Sequence, residues 1–244
     1  MSFQFATREA CERLLVLWER GLARPMYERA GALLAANGEP PPRTLGEQTA
    51  RLLGLHAALF GPQADLLSHC PACRSVASFA ADCDRLIDGL QRPAMAAAHR
   101  LDLDEVAIEF RLPEAADLAA AATEDTDEGF ARRVLDRCVL SCTRHGEHVP
   151  VSGLPDAVLD AVSQRMEALD PAAAISFAVV CPECGARWNA PLDVGRLLWE
   201  KVQISVERLL LDVDALARAY GWTEREILSL SPGRRAAYLQ IVSA

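Results

Sequence analysis

Cys70-Pro71-Ala72-Cys73 and Cys181-Pro182-Glu183-Cys184 are the same turn written twice, 111 residues apart. The likeness runs on downstream, where Asp82 matches Asp193, Arg85 matches Arg196 and Leu86 matches Leu197. A Cys-x-x-Cys turn presents two sulfurs at the bite of a metal ion, and its backbone amides can point at them. Two such turns supply the four thiolates of a tetrahedral zinc site with metal–sulfur distances of about 2.3 Å. Cys70, Cys73, Cys181 and Cys184 are therefore the expected ligands of one ion joining distant parts of the chain. With four protein ligands there is no open position for water, so the expected role is structural rather than catalytic.

Outward from these turns the residues are strand-like, as in a zinc ribbon. Ser75 to Ala81 reads as a strand leaving the first turn. Ile175, Phe177 and Val179 alternate into the second, and Trp188, Ala190 and Leu192 leave it. Aligned on the repeat, Ala77 matches Trp188 and Phe79 matches Ala190, so facing hairpins would set large against small. Asp82 and Asp193 are placed to cap the helices that follow. The second of these runs over about 194–220, with Val202, Val206, Leu209, Val213, Leu216 and Tyr220 along one seam.

Helical spacing also marks 7–20, a second helix from Pro25 to Asn37-Gly38, and a third opened by the Thr44/Glu47 capping box. Further helices are expected at 114–122, 127–143 and 156–168. Val106, Ile108, Phe110 and Leu112 alternate as a half-buried strand. Gly221 ends the long helix, Thr223 and Glu226 form another capping box, and Ser231-Pro232 opens the last helix. The expected fold is α+β and mainly α-helical, with bundle segments around a small zinc-ribbon-like module of two hairpins. Three segments follow: a helical 1–62, a central 63–193 carrying both turns, and a C-terminal 194–244.

The remaining cysteines admit other readings. Cys138, Cys142, His145 and His148 could form a second, local metal site. Cys138 and Cys142 equally fit the apolar face of the helix expected over 127–143, and the core reading is preferred. Cys11 and Cys83 read as core residues, His69 as an exposed neighbour of Cys70, and His56 and His99 as ordinary helix or loop residues. Redox-active turns would call for a thioredoxin-like βαβ context, which the pattern lacks.

The chain has 244 residues, and its formal net charge is −9. Lys201 is the only lysine. So acidic a chain is a poor general binder of phosphate backbones. The last three helices could mimic a helix-turn-helix, with Arg225, Arg234 and Arg235 on phosphate, and that nucleic-acid reading is kept as the alternative. No apolar run is long enough for a membrane span, and Met1–Arg20 reads as an amphipathic helix rather than a leader. A cytoplasmic protein is expected. No P-loop, nucleophile elbow, zinc-protease helix or dinucleotide glycine pattern occurs, so no catalytic residues are assigned and a non-enzyme is expected.

Ala217 to Leu239, reading ARAYGWTEREILSLSPGRRAAYL, together with Phe110-Arg-Leu-Pro113 and the two cysteine turns, resembles the T-even phage baseplate hub assembly chaperone-like family. Its members accompany contractile injection systems, which are phage-tail-like particles. The resemblance covers most of the chain from about residue 45, and the order of the motifs carries it. It implies an assembly role through contacts with baseplate, hub or spike proteins, and it implies metal binding at Cys70/Cys73 and Cys181/Cys184. The first turn departs from the family pattern in having Arg74 where a glycine commonly follows, which bears on the geometry of that turn.

Overall fold

A computed structural model describes residues 7–90 and 96–243. In chain order the first helices are α1 (Arg8–Leu22), α2 (Met26–Ala36) and α3 (Leu45–Phe60). The hairpin β1 (Gln63–His69) and β2 (Val76–Asp82) follows, then α4 (Cys83–Gly89). Next come β3 (His99–Leu103), β4 (Val106–Phe110), α5 (Ala115–Ala121), α6 (Asp127–Cys138), β5 (Val139–Arg144) and β6 (Glu147–His148). The chain closes with α7 (Asp156–Leu169), the hairpin β7 (Ser176–Val180) and β8 (Arg187–Pro191), then α8 (Val194–Tyr220), α9 (Glu224–Leu228) and α10 (Pro232–Val242). The fold is α+β with helix predominant. No described helix is long and apolar enough to cross a membrane.

The chain forms two compact units, one of residues 1–40 with 195–244 and one of residues 41–194. The segmentation expected from the sequence placed α3 with the N-terminal helices. Instead α3 belongs to the unit that carries the cysteine turns. The Gly46 amide donates to the buried Asp170 carboxylate at 2.9 Å, tying its N-terminus to the short 3-10 turn at Pro171–Ala174. Such a bond links residues far apart in sequence, and local periodicity carries no trace of it.

In the first unit, α1 turns Cys11, Leu14 and Leu17 inward, and α8 buries Val202, Val206, Leu209 and Leu216. Gly21 abuts the Trp199 ring, and the Arg29 guanidinium lies 4.7 Å over that ring. Gly221 leaves α8 with φ +68, and the Thr223/Glu226 box starts α9. Arg235 on α10 is only 4% exposed and donates to Cys11 Sγ at 3.7 Å.

In the second unit a four-stranded antiparallel sheet, β3-β4-β5-β6, packs on α6 and α7. Its core includes Ile108, Phe110, Leu135, Cys138, Cys142 and Val162. The helix expected over 127–143 ends at Cys138, and residues 139–144 are strand β5, with Ile108 opposite Cys142. A spacing of four between two apolar residues satisfies both the helical and the strand period, so Cys138 and Cys142 could not separate them. The β-branched Val139 and Thr143 and the partner strand β4 decide for the sheet. His145 (φ 52) and Gly146 (φ 85) make the tight turn into β6 that a right-twisted hairpin favours.

The repeat seen at the turns extends to whole elements. Leu45 and Asp156, Val76 and Arg187, and Cys83 and Val194, which start α3 and α7, β2 and β8, and α4 and α8, are each 111 residues apart. Helix–hairpin–helix thus occurs twice. The two hairpins touch through Phe79 and Phe177, edge-on at 5.4 Å, and through Trp188 Nε1 donating to Ser68 Oγ at 3.1 Å. Phe177 is the register partner of Ala190, and Ser68 that of Ala77. The expected large-against-small pairing therefore does not hold at both levels: Trp188 meets Ser68, but Phe79 meets a second phenylalanine rather than Ala190.

Candidate metal centre

Each turn is built by the same two backbone hydrogen bonds. In the first, Cys70 N–H donates to the Ser75 carbonyl at 2.9 Å and Arg74 N–H to the Cys70 carbonyl at 2.9 Å. In the second, Cys181 N–H donates to Ala186 at 2.8 Å and Gly185 N–H to Cys181 at 3.0 Å. Closing the turn needs a left-handed residue after the second cysteine. Gly185 has φ 74 and Arg74 has φ 63. The arginine therefore adopts the glycine conformation, and the two turns share their geometry despite the substitution.

The four sulfurs of Cys70, Cys73, Cys181 and Cys184 all lie within 4.8 Å of one another. Across the turns, Cys70 Sγ is 3.7 Å from Cys184 Sγ, and Cys73 Sγ is 3.6 Å from Cys181 Sγ. A tetrahedron with metal–sulfur legs of 2.3 Å has edges of about 3.8 Å. The cluster therefore has the size and donor chemistry to hold a metal ion. Cys70 and Cys181 are buried while Cys73 and Cys184 are exposed, so the site lies at the surface with one side covered. It lies wholly within the second unit.

The electrostatics show sulfurs competing for protons. Cys181 is brought down to about 6, chiefly by the Ser75 hydroxyl and then by the amides of Cys184 and Glu183. Ser75 likewise lowers Cys73. Cys184 receives the Ala186 amide, which favours its thiolate, yet hydrogen bonds shared with Cys73 and Cys181 push it up to about 12. Four adjacent sulfurs do not all ionise without a counter-charge. A divalent cation supplies that charge and deprotonates coordinating thiols.

Ser75 is the residue of this candidate site that sequence reasoning missed. Its hydroxyl sits 3.1 Å from both Cys73 Sγ and Cys181 Sγ, bridging the turns. The repeat gives no hint of it, since its counterpart is Ala186. The structure brings together the four predicted turn cysteines and disperses the other candidates. Cys138 is buried 3.8 Å from an Asp117 oxygen, and burial, then the Asp117 charge, push its thiol up to about 12. Cys142 is buried on β5, and burial raises it too. His145 pairs with Glu105 at 2.8 Å and His148 is exposed, so these four residues do not converge. Among the described residues only the four turn cysteines cluster as metal ligands. Cys83 and His56 form a buried pair at 3.5 Å, and His69 is exposed.

A second missed cluster is polar and structural. Asp117, 1% exposed, accepts from Arg111 at 2.6 and 2.9 Å and from Arg137 Nε at 2.9 Å. It thereby clamps α5 to the end of α6. Comparison with protein-family models, with curated proteins and with solved structures finds no match to this chain.

Proposed function

We propose that this chain is a zinc-stabilised, non-enzymatic assembly factor or minor component of the baseplate or hub of a contractile injection system. The observation that carries the zinc reading is the meeting of two sulfur pairs drawn from turns 111 residues apart. A four-thiolate tetrahedral shell suits zinc, which takes that geometry without redox chemistry. One ion per chain would hold the two hairpins together and leave no site for a substrate water.

The assembly role rests on the order of the motifs that resemble the baseplate hub chaperone-like proteins. Ala217 to Leu239 folds as the end of α8, then α9 and α10, where Tyr220, Trp222 and Tyr238 pack ring to ring at 4.6, 5.5 and 4.9 Å. The motif thus makes a helical corner, consistent with a binding surface rather than an active site. The protein acts in the cytoplasm, where particles are built, and its partners are baseplate, hub or spike proteins. The nucleic-acid alternative loses support because Arg235, one of its expected phosphate contacts, is buried.

Deleting the gene tests the role. The expected result is failure of particle assembly, restored by the wild-type chain, together with co-purification of a tagged chain with baseplate proteins. Normal particles in the deletion strain overturn it.

A further inference from the structure

The four sulfurs meet in two pairs that cross from turn to turn. Cys73 Sγ lies 3.6 Å from Cys181 Sγ, and Cys70 Sγ lies 3.7 Å from Cys184 Sγ. The repeat exchanges these pairs, because Cys184 is the counterpart of Cys73 and Cys181 that of Cys70. Each pair joins one buried sulfur to one exposed sulfur. Each exposed sulfur accepts from the amide two residues on, Cys73 from Ser75 and Cys184 from Ala186.

One oxygen breaks this equivalence. Ser75 Oγ sits 3.1 Å from both members of the Cys73–Cys181 pair. Its counterpart Ala186 has no hydroxyl, so no equivalent bridge spans Cys70 and Cys184. A hydrogen bond that stabilises a thiolate also lowers its nucleophilicity. Of the two exposed sulfurs, Cys184 therefore keeps the more available lone pairs. Cysteines that respond to oxidants are accessible and stand beside a resolving thiol. Cys184 is exposed, and Cys70 is the resolving sulfur within reach.

We propose that Cys184 is the peroxide-reactive sulfur of this site and Cys70 its resolving partner, so that oxidation closes a disulfide between the two hairpins while Ser75 protects the other pair. The Cys184 thiolate attacks one oxygen of hydrogen peroxide. An S–O bond forms, the O–O bond breaks, and the departing hydroxide takes a proton and leaves as water. The Cys70 thiolate then attacks the sulfenic sulfur. The S–S bond forms, the S–O bond breaks, and a second hydroxide leaves as water. The sulfur pair loses two electrons and the peroxide gains them. Only Cys73 and Cys181 remain as thiolates, too few for a four-sulfur shell, so the metal is released while a covalent bond still joins the hairpins. The inference rests on the metal reading, under which all four sulfurs are thiolates and ionisation does not rank them.

The test treats the zinc-loaded full chain with hydrogen peroxide. Zinc release is followed with a chromogenic chelator, and the oxidised cysteines are mapped by differential alkylation and peptide mass spectrometry. Wild type should form the Cys70–Cys184 disulfide first and release zinc at the same rate, with Cys73 and Cys181 still reduced. Ser75→Ala should oxidise both pairs at comparable rates. Ala186→Ser, which places a hydroxyl by symmetry against Cys184 and Cys70, should slow zinc release roughly tenfold. Both variants are first checked for wild-type zinc content, and the order of oxidation in wild type needs no variant. A chain that binds no zinc overturns the metal reading and this inference with it. A zinc-loaded chain that oxidises first at Cys73 or Cys181, closes a disulfide within one turn, or keeps its order of oxidation in Ser75→Ala overturns this inference alone.

Discussion

Arg74 and Gly185 occupy the same left-handed corner, but only one carries a Cβ. That conformation costs an L-residue about 1–2 kcal/mol, while a glycine loses about 0.5–1 kcal/mol in backbone entropy on folding. Arg74→Gly should therefore keep its metal and leave stability unchanged or raised by up to about 1 kcal/mol. Gly185→Arg should lose about 1 kcal/mol, with urea denaturation of the metal-loaded chain as the measurement. At Asp117 the balance is electrostatic. Burial alone would raise its pKa, but hydrogen bonds from Arg111, the Glu114 amide and Arg137 hold it at about 2, below the ordinary 3.8. The unfolded chain therefore binds the extra proton between these values. The pair contributes about 2 kcal/mol that is fully present above pH 4 and lost as the pH falls toward 2. Asp117→Asn should destabilise by about 3 kcal/mol at neutral pH, and the gap from wild type should shrink over that acid window. A gap constant from pH 6 to 2 would show that Asp117 carries no such linkage.

At the scale of elements, starts and stops were largely legible, because caps are local. Thr44 accepts from the Glu47 amide, Asp82 from Arg85, and Ser231 from Arg234, each where the side-chain types predicted. Strands were harder to read. β1 and β3 were not expected from the sequence, and each is made a strand by its partner. The β5 segment shows why, since its apolar spacing fits a helix until Ile108 and Phe110 lie opposite it. Close helix contacts are also invisible locally. A Cβ at Gly21 would strike the Trp199 ring in the first unit, so Gly21→Ala should lower stability by about 1–3 kcal/mol despite alanine's better helix propensity. Thermal melts decide it, and a rise in Tm would contradict the packing.

At the scale of the whole molecule, a metal held between the hairpins would couple residues on either side of the 74–180 stretch. Elemental analysis should find one zinc per chain. Cys70→Ser and Cys181→Ser should lose metal and stability equally, because each removes one leg of the same tetrahedron. Two ions per chain, or unequal losses, would argue for separate sites. A chelator should make the junction at Phe79 and Phe177 more open to protease while the four-stranded sheet, which has its own apolar core, persists.

The sequence by itself determined the two cysteine turns, the helix caps and the long apolar seam of α8. Each of these depends on residue types within a few positions of one another. Only the tertiary structure decided that the two turns face each other, that Ser75 bridges them, that Asp117 gathers two arginines and that 139–144 joins a sheet. Those outcomes depend on partners brought from far along the chain, and a non-local contact leaves no periodic signal in the residues that make it.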